Sequence, residues 1–161
     1  MKSMSDHVPK QQAPALASKD TEPSSLGTLE VNVIFTDARA TGAALRAATR
    51  LARDLAASIR LRAAIAVPCL LPLDHPQISI PFTEEVLSGL VSRFAQNSLD
   101  ITAHLYLSRN RIETFLQILQ PNSLVVIAGR KRPWPTAESR IVKRLQSEGH
   151  RVVFIPFRRG D

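Results

Sequence analysis

From residue 29 onward the chain alternates between two patterns. Short apolar, β-branched runs give way to segments whose apolar residues return every three or four positions. "LEVNVIFTD" (29–37) is such a run and predicts a strand buried on both faces. "TGAALRAATRLARDLAASI" (41–59) has helical spacing. Ala44, Ala48, Leu51, Leu55 and Ile59 share one stripe, Arg46, Arg50 and Arg53 lie on another face, and Thr41 stands at the N-cap. "LRAAIAV" (61–67) predicts a second strand, ended by Pro68. "TEEVLSGLVSRFAQN" (83–97) predicts a second helix, with Thr83 as its cap and Glu84 and Glu85 suited to the positive end of its dipole. "DITAHLYL" (100–107) predicts a third strand. Asn110 and Glu113 have capping-box spacing ahead of Ile112, Phe115, Leu116 and Leu119, and that helix stops at Pro121. "SLVVIAG" (123–129) predicts a fourth strand, "TAESRIVKRLQSE" (136–148) a fourth helix ended by Gly149, and "RVVFIPF" (151–157) a fifth strand.

Strands alternating with helices imply an α/β domain, a five-stranded parallel sheet with helices on both faces, over residues 29–161. Ligands of such sheets bind outside the carboxyl ends of the strands, where the strand order reverses. That rule selects segments 36–40, 67–73 and 129–135. The last is the most unusual. Gly129 is followed by Arg130, Lys131 and Arg132, then by two prolines around Trp134, the single tryptophan of the chain. Arginine pairs bidentately with phosphate oxygens, lysine acts as a point charge, and Trp134 can stack on a base. Equally, three cations on a loop are often simply hydrated, with the indole packed on a neighbouring helix.

Charge sharpens the picture. The chain carries a net +7 over 161 residues. Residues 1–28 hold three Lys against three Asp and Glu, whereas 129–161 hold nine Lys and Arg against three acidic residues, a net of +6. An anionic partner near the C-terminal elements would account for this, and so would a solvated basic face. Residues 1–28, rich in Ser, Pro, Gln, Lys and Ala without an apolar period, read as a disordered tail. They carry no secretory signal pattern, no apolar stretch reaches the ~18 residues of a membrane span, and one cysteine, Cys69, allows no internal disulfide. The expectation is a cytosolic protein.

The other chemistry is thin. Cys69 and His75 on the proline-rich loop 68–82 lack a third ligand for zinc and an orienting partner for a nucleophile. That loop is either a cover packed on its own domain or a partner site. His7 lies in the tail, His104 in strand three as a packed or edge histidine, and His150 in a turn. No Ser-His-Asp order, carboxylate pair or Walker loop is present, so no enzyme is indicated. Low aromatic content (5%) and the lack of a recognised nucleic-acid motif weigh against nucleic acid as a partner. Arg140, Lys143 and Arg144 nevertheless share part of a helix face close to the loop cations, which leaves nonspecific, salt-dependent phosphate contact as an alternative.

Three segments carry a resemblance. "VIFTDARATGAALRAATRLA" resembles the first strand, turn and long helix of the universal stress protein family, "RIETFLQILQPNSLVVIAGR" its third helix and fourth strand, and "SRIVKRLQSEGHRVVFIP" its last helix and closing strand. The resemblance implies a strand order of 3-2-1-4-5, a regulatory or stress-response role without catalysis, and a homodimer formed through the last strand, here residues 151–157. Members that bind ATP carry Gly-x2-Gly-x9-Gly-Ser/Thr after strand four. Gly129 matches the first glycine, Arg132 replaces the second, Ala137 or Glu138 stands near the third, and Ser139 only approximates the closing hydroxyl. Asp37 matches the aspartate that ends strand one in the binders, and serves as well as a cap or turn residue. If ATP or another adenine nucleotide binds, the resemblance implies phosphates at Gly129, Arg130, Arg132 and Ser139, with Asp37 and Val67 flanking the adenosine. The alternative is a dimeric interaction module with no nucleotide.

Overall fold

The computed structural model describes residues 29–74, 80–95 and 99–157. The tail 1–28, His7 and His75 lie outside them. Five strands alternate with four helices. They are β1 (Glu30–Ile34), α1 (Ala38–Leu55), β2 (Ser58–Ala66), α2 (Ile80–Phe94), β3 (Ile101–Ser108), α3 (Arg111–Ile118), β4 (Leu124–Gly129), α4 (Ala137–Ser147) and β5 (Arg151–Pro156). All pairings are parallel and the order is β3-β2-β1-β4-β5, as the resemblance implied.

Side-chain alternation on the strands divides the core in two. Val31, Val33, Ile59, Leu61, Val126 and Ala128 face α1 and α2, where Ala44, Leu45, Ala48 and Leu87 are fully buried. Ile34, Val125 and Ile127 face α3 and α4, where Phe115, Ile141 and Leu145 close the second layer. The alanine-rich face of α1 lets that helix sit close against β1 and β4 at the centre of the sheet.

Three boundaries differ from the sequence reading, each for a physical reason. The cap of α1 is Asp37 and not Thr41. Its extended backbone (φ −136°) lets Oδ1 accept the N–H groups of Arg39 at 3.0 Å and Ala40 at 2.9 Å. Thr41 is instead buried in the first turn, where its hydroxyl accepts the Thr36 N–H at 3.1 Å. At its other end α1 stops at Leu55 rather than running to 59. Ala56 takes a left-handed conformation (φ 51°), and Ser58 and Ile59 pair with Glu30 and Val31. Pairing with β1 thus overrides the helical period, leaving Leu55 42% exposed and Ile59 fully buried. Helix α2 begins at Ile80, three residues before the expected cap Thr83, with Pro81 tolerated in its first turn. The Asn110 cap of α3 is where the sequence places it, and Thr136, the first residue of the expected fourth helix, caps α4. Gly149 ends the turn after α4 at φ 89°, a conformation that favours glycine.

The α3 face also carries a polar ladder across β1, β2 and β3. Arg60 Nε donates to Glu30 Oε1 at 3.1 Å, Arg62 Nε to Asn32 Oδ1 at 2.6 Å, and Arg62 Nη1 to the Tyr106 hydroxyl at 3.1 Å. His104 stacks on Tyr106 with ring centroids 6.4 Å apart. Burial holds the His104 imidazole below its ordinary pKa, the Arg62 and Arg60 guanidiniums push it the same way, and Glu30 opposes them. The folded state therefore favours neutral His104. Its contribution to stability is complete above the ordinary histidine pKa and declines as pH falls below it. Denaturant unfolding at pH 7.5 and pH 5 should show a loss of stability on acidification that is smaller in His104→Gln; an equal loss in both proteins would remove His104 as a contributor.

Candidate functional site

Strand order reverses between β1 and β4, whose following helices pack on opposite faces of the sheet. The crevice of this architecture therefore opens where the chain leaves these two strands. Its lips are tied together: the Thr36 hydroxyl donates to the Ala128 carbonyl at 3.0 Å, across 92 residues of chain. Asp37 lies on the β1 lip. The basic loop from Arg130 to Pro135 forms the β4 lip and ends at Thr136, whose hydroxyl caps α4 by accepting the Ser139 N–H at 3.1 Å.

Gly129 is retained for a reason other than a phosphate cradle. A Cβ on it would lie 2.9 Å from Cγ and 3.0 Å from Cβ of Glu138, and 3.3 Å from the Phe154 ring. The first turn of α4 thus rests directly on the end of β4, with Glu138 filling the space. Glu138 stands near the position at which the resembled motif has its third glycine. It puts a carboxylate at the helix N-terminus, where the dipole would otherwise attract an external anion. The Ser139 hydroxyl is also engaged, donating to the Thr136 carbonyl at 2.8 Å.

Two clefts flank the basic loop. One, of about 420 Å³, is lined by Asp37, Glu138, Arg130, Arg132, Trp134, Pro135 and Thr136. The other, of about 270 Å³, also borders Arg130, Arg132 and Trp134, and adds Lys131, Ser139, Lys143 and Phe154. The first holds two carboxylates against two guanidiniums, whereas no carboxylate lines the second. Of the site residues expected from sequence, Asp37, Arg130 and Arg132 come together in the first cleft, and Ser139 joins the arginines only in the second. Gly129 is buried beneath Glu138 and lines neither. Val67 is 2% exposed and lines neither cleft, although its carbonyl accepts Arg109 Nη1 at 3.1 Å.

Two arginines escaped the sequence reading. Arg109 Nη1 also donates to the Pro68 carbonyl and so holds the end of β2. Arg111, at the start of α3, donates through Nη2 to the Phe35 carbonyl at 3.4 Å, while its buried Nε has no partner. Burial depresses the Arg111 pKa, and the Glu138 carboxylate opposes that shift. The signal was in "SRNRI" (108–112), directly after strand three. The rule that selects loops at the strand-order reversal does not reach this segment, which follows the edge strand β3. Cys69 is exposed and unpaired, and no group of three His, Cys, Asp or Glu suits a metal ion among the described residues. None of the helices described is long and apolar enough to cross a membrane.

The contact between Gly129 and Glu138 makes a quantitative prediction. Gly129→Ala should cost about 1–3 kcal/mol by overpacking. Adding Glu138→Ala should restore part of that loss, because the two changes share one contact. Strictly additive losses in a denaturant double-mutant cycle would show that the contact does not constrain Gly129.

No protein-family model and no curated protein matches the chain. Solved structures do. A universal stress protein from Archaeoglobus fulgidus superposes with a TM-score of 0.60 at 16% identity, over 79% of this chain and 93% of that one. The universal stress protein from Archaeoglobus fulgidus in complex with dAMP gives 0.55 at 14% identity, over 80% and 98%. A protein of the universal stress protein family from Burkholderia pseudomallei gives 0.56 at 20% identity, over 80% and 96%. The likeness covers about four fifths of this chain, and the chain has the universal stress protein fold.

Proposed function

We propose that this chain is a non-catalytic, cytosolic regulatory module of universal stress protein type, and that its crevice takes an adenine nucleotide. The observation that carries the reading is the convergence of Asp37, Arg130, Arg132 and Trp134 in one cleft at the point where strand order reverses. The dAMP complex of a protein with this fold supports an adenosine-sized ligand there. The recognition would differ from a glycine cradle. Arg130 and Arg132 would hold phosphate oxygens with side-chain charge, Asp37 would face the sugar end, and Glu138 would repel phosphates from the α4 N-terminus. The ligand would thus lie along the loop side of the crevice.

Homodimerisation through β5 is the second element of the proposal. β5 forms an edge of the sheet, and no strand pairs with its outer side among the described residues. Val152, Val153, Phe154 and Ile155 are only half-buried. An open apolar edge favours strand pairing with a second copy. A module that dimerises without a nucleotide would keep this feature and lose the first.

Isothermal titration with ATP, ADP and AMP tests the nucleotide reading. Binding should be saturable, and Arg132→Ala should weaken it about tenfold, the loss of one charge-assisted contact. Glu138→Gln should strengthen ATP binding more than AMP binding, because it removes a like charge from the phosphate path. The absence of heat at millimolar ATP, or indifference to both substitutions, would overturn the proposed site.

A further inference from the structure

We infer that the second cleft is a binding groove for single-stranded nucleic acid, in which Trp134 stacks a base and four cations track the backbone. The groove runs from the basic loop past Ser139 and Lys143 of α4 to Phe154 on β5. Arg130, Lys131, Arg132 and Lys143 line it, and no acidic residue does. Both carboxylates near the loop, Asp37 and Glu138, face the other cleft. A polyanion therefore meets unopposed positive charge on this side of the loop alone.

The shape points the same way. At about 270 Å³ the groove is small for a cleft that encloses a small molecule. An open cationic track beside an aromatic face suits a strand that passes through. Trp134 is 79% exposed, a large apolar surface left in water at the cost of burying it elsewhere. Pro133 and Pro135 flank it and restrict the backbone on either side. The loop is thus stiff, and presenting the indole sacrifices little conformational entropy on binding. Phe154 supplies a second aromatic wall, held by the pairing of β5 with β4. Arg140 lies exposed on α4 within one turn of Lys143 and extends the charge along the helix. Arg144 is committed to Glu148 at 3.1 Å and contributes less. A duplex is the poorer fit, because its bases are stacked on each other and unavailable to an indole on a shallow groove.

Stacking is indifferent to base identity, so the groove predicts affinity for single strands with little sequence preference. Low aromatic content is no objection. One exposed indole, correctly placed among cations, meets the chemical requirement that a whole-chain percentage averages away.

Trp134 is the single tryptophan of the chain and borders both clefts, so its fluorescence reports binding on either side of the loop, and the Lys143 and Asp37 variants tell the two sides apart. The full-length protein is titrated with a twelve-nucleotide oligo(U) or oligo(dT), a duplex of the same length, and base-free inorganic polyphosphate. The single strand should quench Trp134 and bind more tightly than the duplex. The logarithm of its affinity should fall with the logarithm of salt at a slope of about −3, as for four neutralised phosphates. Lys143→Ala should reduce that slope by about 0.7. Trp134→Ala, at an exposed position, should weaken the single strand about tenfold and leave polyphosphate unchanged, while Trp134→Phe should retain most of the affinity. Oligonucleotide and polyphosphate binding equally, both indifferent to Trp134→Ala, would reduce the groove to a plain charge patch and overturn the proposal, as would a preference for duplex or no binding at low salt. Asp37 and Lys143 separate this site from the nucleotide crevice. Asp37→Ala should spare oligonucleotide binding, and Lys143→Ala should spare mononucleotide binding, so either reading fails without the other.

Discussion

The parallel pairing of β1 with β4 is the constraint on which the rest of the molecule depends. Val31 to Ile34 and Leu124 to Ile127 lie side by side at the centre of the sheet, and nearly all of them are completely buried. Parallel neighbours cannot be joined by a short turn, so each strand must leave through a helix. One helix goes to each face, and the chain diverges at the carboxyl ends of these two strands. A crevice there is a consequence of topology. What the crevice does is left to the few residues on its lips, which are not needed to hold the core.

Those residues distribute charge unevenly around one loop. Glu138 rests on Gly129 at the first turn of α4, where an N-terminal dipole and free N–H groups would otherwise receive an external anion. An internal carboxylate there is always present at high effective concentration, whereas a ligand must compete for the position. The same carboxylate opposes the lowering of the Arg111 pKa by burial. Cations on the other side of the loop, Lys131 and Lys143, have no such neighbour in their cleft. Positive charge without a facing carboxylate thus lies in the cleft on the Lys143 side of the loop rather than at the α4 N-terminus. The local frame does not depend on this charge pattern: Thr136 caps α4 and the Thr36–Ala128 bond ties the lips.

Most of the fold was legible because its elements obey their own periods. Val125, Val126 and Ile127 read as a two-sided buried strand, and Asn110 announced its helix. The errors fell where tertiary pairing outvoted local pattern. Ser58 and Ile59 continue the period of an alanine-rich helix, yet β1 offers them a ladder, and the ladder wins. Asp37 and Thr41 are both competent caps; burial of the Thr41 hydroxyl decided between them, and burial is invisible in one dimension. The candidate site was legible by position and illegible by role. Sequence located Asp37 and the pair Arg130 and Arg132 on the two lips of one crevice, but not that the basic loop has two sides of different charge. Arg111 illustrates the remaining gap. It reaches Phe35 from the opposite end of the chain order, and only folding brings that guanidinium to the crevice.

The exposed position of the loop has an energetic corollary. Residues 130 to 135 are all exposed, and none contributes to either hydrophobic layer. Substitutions there should stay within about 0.5 kcal/mol of neutral for stability, whereas large-to-small changes at buried Ile127 or Leu61 should cost about 2–5 kcal/mol. Selection on binding can therefore act on the loop almost independently of selection on folding. The exceptions are the hinge points at its two ends. Gly129 has no room for a side chain, and Thr136 must cap α4, so the loop can change its chemistry but not its points of departure and return. A basic, aromatic loop between two such fixed points can therefore vary at little cost to the sheet.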